Sequence, residues 1–133
     1  GKPTQTGHGL GIWGLTNIPL SYAPAAADPS ELRIEKVLGH NKAGLVPCWR
    51  QKEPARQLPN LSGIPTLVVV GEASFHSTFA HCTADWLRQA GVDVQLVRLE
   101  DEGIFGNGHM LMLELNSLEI ASYLDRWISR NIV

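Results

Sequence analysis

The sequence predicts an α/β fold in which parallel strands are flanked by helices. One observation is the run TLVVV at 66–70, which is bounded by Gly and Pro and is typical of a strand buried on both faces of a parallel sheet. The other is that an amphipathic pattern and a second β-branched run, VDVQLVRLE, follow it directly. A strand, helix and strand in this order place both strands parallel in one sheet, through a right-handed crossover.

Residues 1–60 are expected to form an irregular cap or excursion with one short helix. Residues 1–27 are rich in Gly, Pro and Ala and favour extended chain with little core of its own. DPSELRIEKVLG predicts the helix. Asp28 is its N-cap and Pro29 its first helical position. Glu31 completes a capping box, and Gly39 is the expected stop. Three prolines in residues 41–60 favour a surface path, with EPARQL as a turn or two of helix.

Residues 61–133 are expected to form the core, as strand, helix, strand and helix. The first helix lies in HSTFAHCTADWLRQAG, with Ser77 or Thr78 as cap and Gly91 as terminator. The second lies in NSLEIASYLDRWISRN, with Asn116 or Ser117 as cap. The apolar stripes are Phe79, Cys82, Trp86 and Ala90 in the first helix, and Ile120, Ala121, Leu124, Trp127 and Ile128 in the second.

Two parallel strands alone leave open sheet edges and half-covered apolar faces. More strands in the first half would close the sheet, but the prolines there disfavour them. We therefore expect another polypeptide to complete the sheet.

Composition excludes several classes of partner. The chain has 133 residues and a net charge of -2 with both signs mixed along it, so neither nucleic acid nor an anionic membrane is favoured. No apolar run approaches the roughly 18 to 20 residues of a membrane span. The sequence begins at Gly1 without a signal peptide and predicts no compartment. Cys48 and Cys82 match no zinc pattern, and they could either pair or stay apart.

Histidines are the residues with the clearest chemical potential. In IFGNGHMLMLE, His109 follows two glycines and an asparagine; such a turn presents a proton carrier, although a loop histidine of no consequence fits equally well. His76 and His81 are five residues apart, which does not place them on one helical face, so no metal site is predicted. We expect them to form hydrogen bonds within their loop or to line the rim of a site.

GIPTLVVVGEASFHSTFAHCTADWLRQAGV and GIFGNGHMLMLELNSLEIASYLDRWI resemble the C-terminal portion of α/β-hydrolase esterases of bacteria and fungi. The similarity runs from about Gly11 onward, and GNGHM is its most specific part. The resemblance implies the C-terminal part of an α/β-hydrolase fold. It also implies a catalytic role for His109, because the triad histidine of this family follows the last strand, after the nucleophile and the acid. No cofactor or metal is implied.

The family's nucleophile elbow, G-x-S-x-G, does not occur in this sequence. The resemblance places it, together with the acid, on an N-terminal chain that precedes Gly1. Glu72, after the strand at 66–70, is an alternative acid, against a structural role in bonding backbone N–H groups. The commoner position of the acid lies nearer Ser74. Trp13 and Trp49 could roof a pocket for the acyl or alcohol group, with His76 at its rim.

Two functions follow from these observations. The first is the His-bearing half of a serine hydrolase that cleaves small carboxylic esters through an acyl-enzyme, as a heterodimer with the Ser-bearing chain. The second is a non-catalytic fragment or truncated paralogue that serves as a binding or assembly module and pairs sheet edges in a homo-oligomer.

Overall fold

A computed structural model describes residues 11–38 and 42–132. The strands are β1 (Ile34–Val37), β2 (Cys48–Gln51), β3 (Thr66–Val70) and β4 (Val94–Arg98), and the helices are α1 (Ala80–Gln89) and α2 (Ser117–Asn131). Short 3-10 turns cover Pro29–Glu31, Phe75–Thr78, Leu99–Glu102 and Leu111–Leu113. Helices and strands are mixed and the central sheet is small and parallel, which is an α/β arrangement.

β3 and β4 pair in parallel, as the strand–helix–strand pattern predicts. The register runs from Thr66 opposite Val94 to Val70 opposite Arg98. α1 connects the two strands, and Gly91 ends the connection with a φ of 84°, a left-handed conformation that favours glycine. The predicted stripe of α1 is buried, since Cys82 and Trp86 are at most 1% exposed.

The two helices cover opposite faces of this sheet. Val68 and Leu96 pack against the cluster around Trp86, whereas Val69 packs against the cluster that contains Ile120 of α2. Because successive side chains of a strand point to opposite faces, the α1 and α2 clusters lie on different sides of β3.

β3 is less buried than expected of a strand covered on both faces. Of its five residues only Val70 is buried, and Thr66–Val69 are half-buried. The stripe of α2 also differs from expectation, because Ala121 is exposed and Ile128 is 49% exposed. Within the described residues, β3 pairs only with β4, so the other edge of β3 is uncovered.

The helix predicted after Asp28 is wrong beyond its first turn. Asp28 does cap a turn, since its Oδ1 accepts from the backbone N of Ser30 at 2.8 Å, but Ile34–Val37 then form a strand antiparallel to β2. Ile34 packs against the Trp86 cluster, and this tertiary contact overrides the local helical signals. The expected stop at Gly39 lies outside the described residues.

Strands therefore do occur in the first half of the chain, contrary to expectation, but they form a separate hairpin and do not extend the parallel sheet. The side-chain amide of Gln89 on α1 exchanges hydrogen bonds with the backbone N and O of Gln51, at 2.9 and 2.7 Å. A disulfide between Cys48 and Cys82 joins the hairpin to α1 as well. The open question about these cysteines is thus resolved in favour of pairing.

Two local predictions also fail. EPARQL is not helical; Gln57 within it forms a bridge with Ala23. Ser77 and Thr78, the predicted caps of α1, do not cap it. They lie in the 3-10 turn Phe75–Thr78, whose cap is Ser74. α1 then begins without a side-chain cap.

Candidate active site

Two loops meet at the carboxyl ends of the parallel strands. One loop follows β3 and carries Glu72 and Ser74, and the other follows β4 and carries His109. The carboxyl ends of adjacent parallel strands share one edge of a sheet, where α/β proteins commonly bind their ligands. The strand order thus brings these side chains together.

The backbones of the two loops are in direct contact. The N–H of Ala73 donates to the carbonyl of Asn107 at 2.9 Å. A Cβ on Gly71 would overlap the same carbonyl oxygen, so only glycine permits this approach. The position of His109 relative to β3 is therefore set by backbone contacts.

A pair of amides fixes the loop of His109 to the start of α2. Asn107 is 2% exposed, and its side-chain amide exchanges hydrogen bonds with that of Asn116 at 2.6 and 3.1 Å. Next to it, the N–H of Gly108 donates to Glu114 Oε1 at 2.8 Å. Asn116 holds this loop and makes no side-chain cap bond to α2.

His109 is exposed, but three neighbouring side chains contact its ring. Its Nδ1 lies 3.3 Å from Ser74 Oγ. The ring of His76 stacks on it with centroids 4.2 Å apart and planes 10° apart, and Phe75 meets it at 4.7 Å. Among the described residues, Nε2 makes no hydrogen bond. Nε2 is therefore the nitrogen that remains free to exchange a proton with another group.

His76 thus lies at the rim of the site, beside His109. Desolvation, and secondarily the charge of His109, lower the pKa of His76. Close stacking disfavours two positive charges on these rings at once.

Glu72 reaches the loop of His109 at a different point. Its Oε2 accepts from the backbone N of Gly106 at 2.9 Å. Within the described residues, this hydrogen bond is the one that links Glu72 to the loop of His109. The residue that contacts Nδ1 of His109 is Ser74. The sequence alone offered Glu72 of this loop as a possible acid and pointed to position 74 only as the commoner place for an acid.

The two tryptophans proposed for a pocket roof lie elsewhere. Trp13 is 6% exposed in the hydrophobic core, and Trp49 packs against the same cluster. The Tyr22 hydroxyl donates to the Trp13 carbonyl at 2.6 Å and accepts from Trp86 Nε1 at 3.1 Å. These contacts tie the irregular N-terminal segment to α1.

His81 is separate from His76. It is buried, with Nε2 2.9 Å from the carbonyl oxygen of Val46. The side chains of Cys48, His81 and Cys82 converge closely enough to suit a metal ion, but the two sulfur atoms are bonded to each other. Paired cysteines do not act as thiolate ligands.

A cavity of about 250 Å³ leads from His109 along β3. Val68, Val69 and Val70 all line it, together with Ser74 and His109. Consecutive residues of a strand point to opposite faces, so a cavity that touches all three lies along an edge of the strand. β4 occupies one edge, and the cavity therefore follows the other.

Exposed apolar side chains follow His109 directly. We call them the apolar segment: Met110, Met112, Leu113, Leu115 and Leu118 are between 52% exposed and fully exposed. Sequence reasoning missed their exposure, because a run of apolar residues beside a helix is ordinarily core. No helix within the described ranges is long and apolar enough to cross a membrane.

The fold and the site define an α/β protein with a loop histidine at the carboxyl end of a parallel sheet. Over 119 residues, or 89% of its length, the chain is 44% identical to "Probable secreted lipase phiG" of a fungal species (strain ATCC 74256). The chain spans about a third of that protein, 32% of its length. No family model and no solved structure matches. The chain is thus related to a secreted lipase.

Proposed function

We propose that this chain is the His-bearing, C-terminal part of an α/β-hydrolase serine esterase, with His109 as its catalytic histidine. The observation that carries the proposal is the geometry of the ring. Nδ1 is held by Ser74 at 3.3 Å, while within the described residues Nε2 makes no hydrogen bond and lies beside a cavity along an edge of β3 that no other strand pairs with. The similarity to a named lipase supports ester hydrolysis as the reaction class.

In this reaction His109 Nε2 accepts the proton of a serine hydroxyl as its oxygen attacks the ester carbonyl carbon. The tetrahedral intermediate collapses, the bond to the alcohol oxygen breaks, and His109 returns the proton to that alcohol. Water then attacks the acyl-enzyme with the same base assistance and releases the acid and the free serine.

The nucleophile belongs to an N-terminal chain that carries G-x-S-x-G. The edge of β3 that no strand covers in residues 11–38 and 42–132 supports this partner, because an unpaired edge binds another strand. The length of the relative supports it too, since about two thirds of that lipase lies outside the matched part. A strand paired in parallel to β3 would end at the same edge of the sheet as His109, and the elbow serine of this fold is exposed at that edge.

The apolar segment gives a second reason for a partner. Leu115 and Leu118, at 107% and 82% exposed, lie just beyond the loop of His109. Burying one leucine side chain stabilises an association by roughly 1.5 to 3 kcal/mol. A partner that covers these residues would bury the apolar segment and surround the histidine at once.

The test is to identify the partner and to assay the pair. Intact mass spectrometry of the purified chain is expected to reveal a second polypeptide, and a fluorophosphonate, which labels active serines, is expected to modify that polypeptide. The pair should hydrolyse p-nitrophenyl esters and this chain alone should not. Hydrolysis by this chain alone, or a homo-oligomer without turnover, would contradict the proposal; the latter result favours the binding module.

Assembly can be tested apart from chemistry. Replacing Leu115 and Leu118 with Gln should weaken partner binding roughly tenfold or more per leucine. Leu38→Gln is the matched control, because Leu38 is 77% exposed but belongs to the end of the β1–β2 hairpin. Calorimetry of the association would measure both. Equal affinity in all variants would remove the apolar segment from the interface.

A further inference from the structure

Ser74 stands where the third member of a catalytic triad would stand. It is 4% exposed, and its Oγ accepts from the backbone N of His76 at 3.1 Å. The same oxygen lies 3.3 Å from His109 Nδ1. A hydroxyl oxygen has two lone pairs, so it can accept from both groups at once.

We propose that Ser74 is the positioning residue of His109, with a neutral hydroxyl in place of the usual carboxylate. Ser74 Oγ accepts the Nδ1–H of His109 and thereby holds the tautomer whose Nε2 lone pair faces the nucleophile. That this lone pair accepts a proton from the nucleophile rests on the proposed function. The hydrogen bond between Ser74 and His109 does not.

Two other candidates for this position fit less well. The carboxylate of Glu72 accepts a hydrogen bond from the backbone N of Gly106, and Glu72 is exposed. An acid supplied by the N-terminal chain would have to reach Nδ1, but buried Ser74 already lies beside that atom. His76 donates its backbone N–H to Ser74 Oγ, and its ring stacks on His109 and closes a further side of that ring.

A neutral partner has consequences that a carboxylate would not have. Charge-assisted hydrogen bonds are roughly twice as strong as neutral ones, so Ser74 orients the ring but stabilises the protonated ring less. Removing a neutral hydrogen bond should lower kcat by roughly two- to twelve-fold with KM unchanged. Loss of a triad carboxylate has a far larger effect, of roughly ten-thousand-fold.

The experiment compares three variants of Ser74 by NMR of the histidine ring nitrogens, in the full chain with the polypeptide that co-purifies with it. Ser74→Ala removes the hydroxyl, Ser74→Thr keeps it, and Ser74→Asp adds a charge while retaining the ability to cap the turn. Ser77→Ala is the matched control in the same 3-10 turn. His109→Gln assigns the signal.

We expect Nδ1 of His109 to carry the proton in the native chain, in Ser74→Thr and in the control, and this preference to be lost in Ser74→Ala. In Ser74→Asp the pH midpoint of the His109 signal should rise by roughly one to three pH units. If Ser74 only caps its turn, the tautomer of His109 is unchanged in Ser74→Ala and its midpoint is unchanged in Ser74→Asp. An unchanged midpoint in Ser74→Asp, or a native tautomer in Ser74→Ala, would overturn the proposal.

These signals require no turnover, so an inactive preparation with the expected tautomers would refute the esterase and leave the role of Ser74 intact.

Discussion

Replacing His109 with Gln should abolish ester cleavage while leaving the fold nearly unchanged. The ring is exposed, and its removal loses one long hydrogen bond to Ser74, at 3.3 Å, and the stack with His76. Such a surface change lowers the free energy of unfolding by about 0.5 kcal/mol, or by about 1 kcal/mol when the lost hydrogen bond is included. The loss of general acid–base help alone lowers the rate roughly a hundred- to ten-thousand-fold. Activity should therefore fall by a factor that stability cannot explain.

The assay is p-nitrophenyl ester hydrolysis by the chain together with the proposed Ser-bearing partner, alongside urea unfolding of the same samples. Asp101→Asn is the matched control, because Asp101 is an exposed residue of the same connection between β4 and α2. We expect the control to keep both properties. Equal activity of His109→Gln and the native chain would refute the catalytic role. A parallel loss of activity and stability would show that the residue is structural.

Three further predictions concern the structure around this site. Replacing Cys48 and Cys82 with Ala should lower the free energy of unfolding by about 4 kcal/mol, the chain-entropy value for a separation of 34 residues; a change below about 1 kcal/mol in denaturant unfolding would contradict this. Gly71→Ala should abolish activity, because its Cβ overlaps the Asn107 carbonyl; full activity would show that the two loops need not touch. The pKa of His76 is lowered from 6.5 in the fold, so the unfolded state binds more protons below about pH 6.5 and stability falls as the pH falls through that region. Between about pH 7.5 and about pH 5.5, the urea midpoint of unfolding should fall less in His76→Gln than in the native chain. An equal fall in the two proteins would count against a contribution of His76.

The parallel half of the fold was predictable because its signals are local and strong. A β-branched run, a helical stripe and a second β-branched run define β3, α1 and β4, and no competing pattern occurs there. β1 was not predictable, because Asp28 and Glu31 do form the contacts of a helix start: Glu31 Oε2 accepts from the backbone N of Ala27 at 2.9 Å. The strand that follows depends on pairing with β2, which is distant in sequence.

The candidate site was predictable in part for a similar reason. Gly-lined loops at the ends of parallel strands indicate where His109 lies. The choice between Glu72 and Ser74 depends instead on the turn Phe75–Thr78, which draws Ser74 inward as its cap. A serine before a helix signals only a cap, so its second contact, with Nδ1 of His109, appears only in three dimensions.

The buried polar groups favour the proposed esterase over the binding module. Ser74 and Asn107 are 4% and 2% exposed, and burying polar groups costs free energy unless they are hydrogen-bonded. Both are bonded, and their bonds hold the loop that carries His109. An assembly module needs an open strand edge and apolar side chains, but it has no need of an oriented imidazole. A chain that buries polar residues to hold one exposed histidine is better explained by catalysis than by assembly alone.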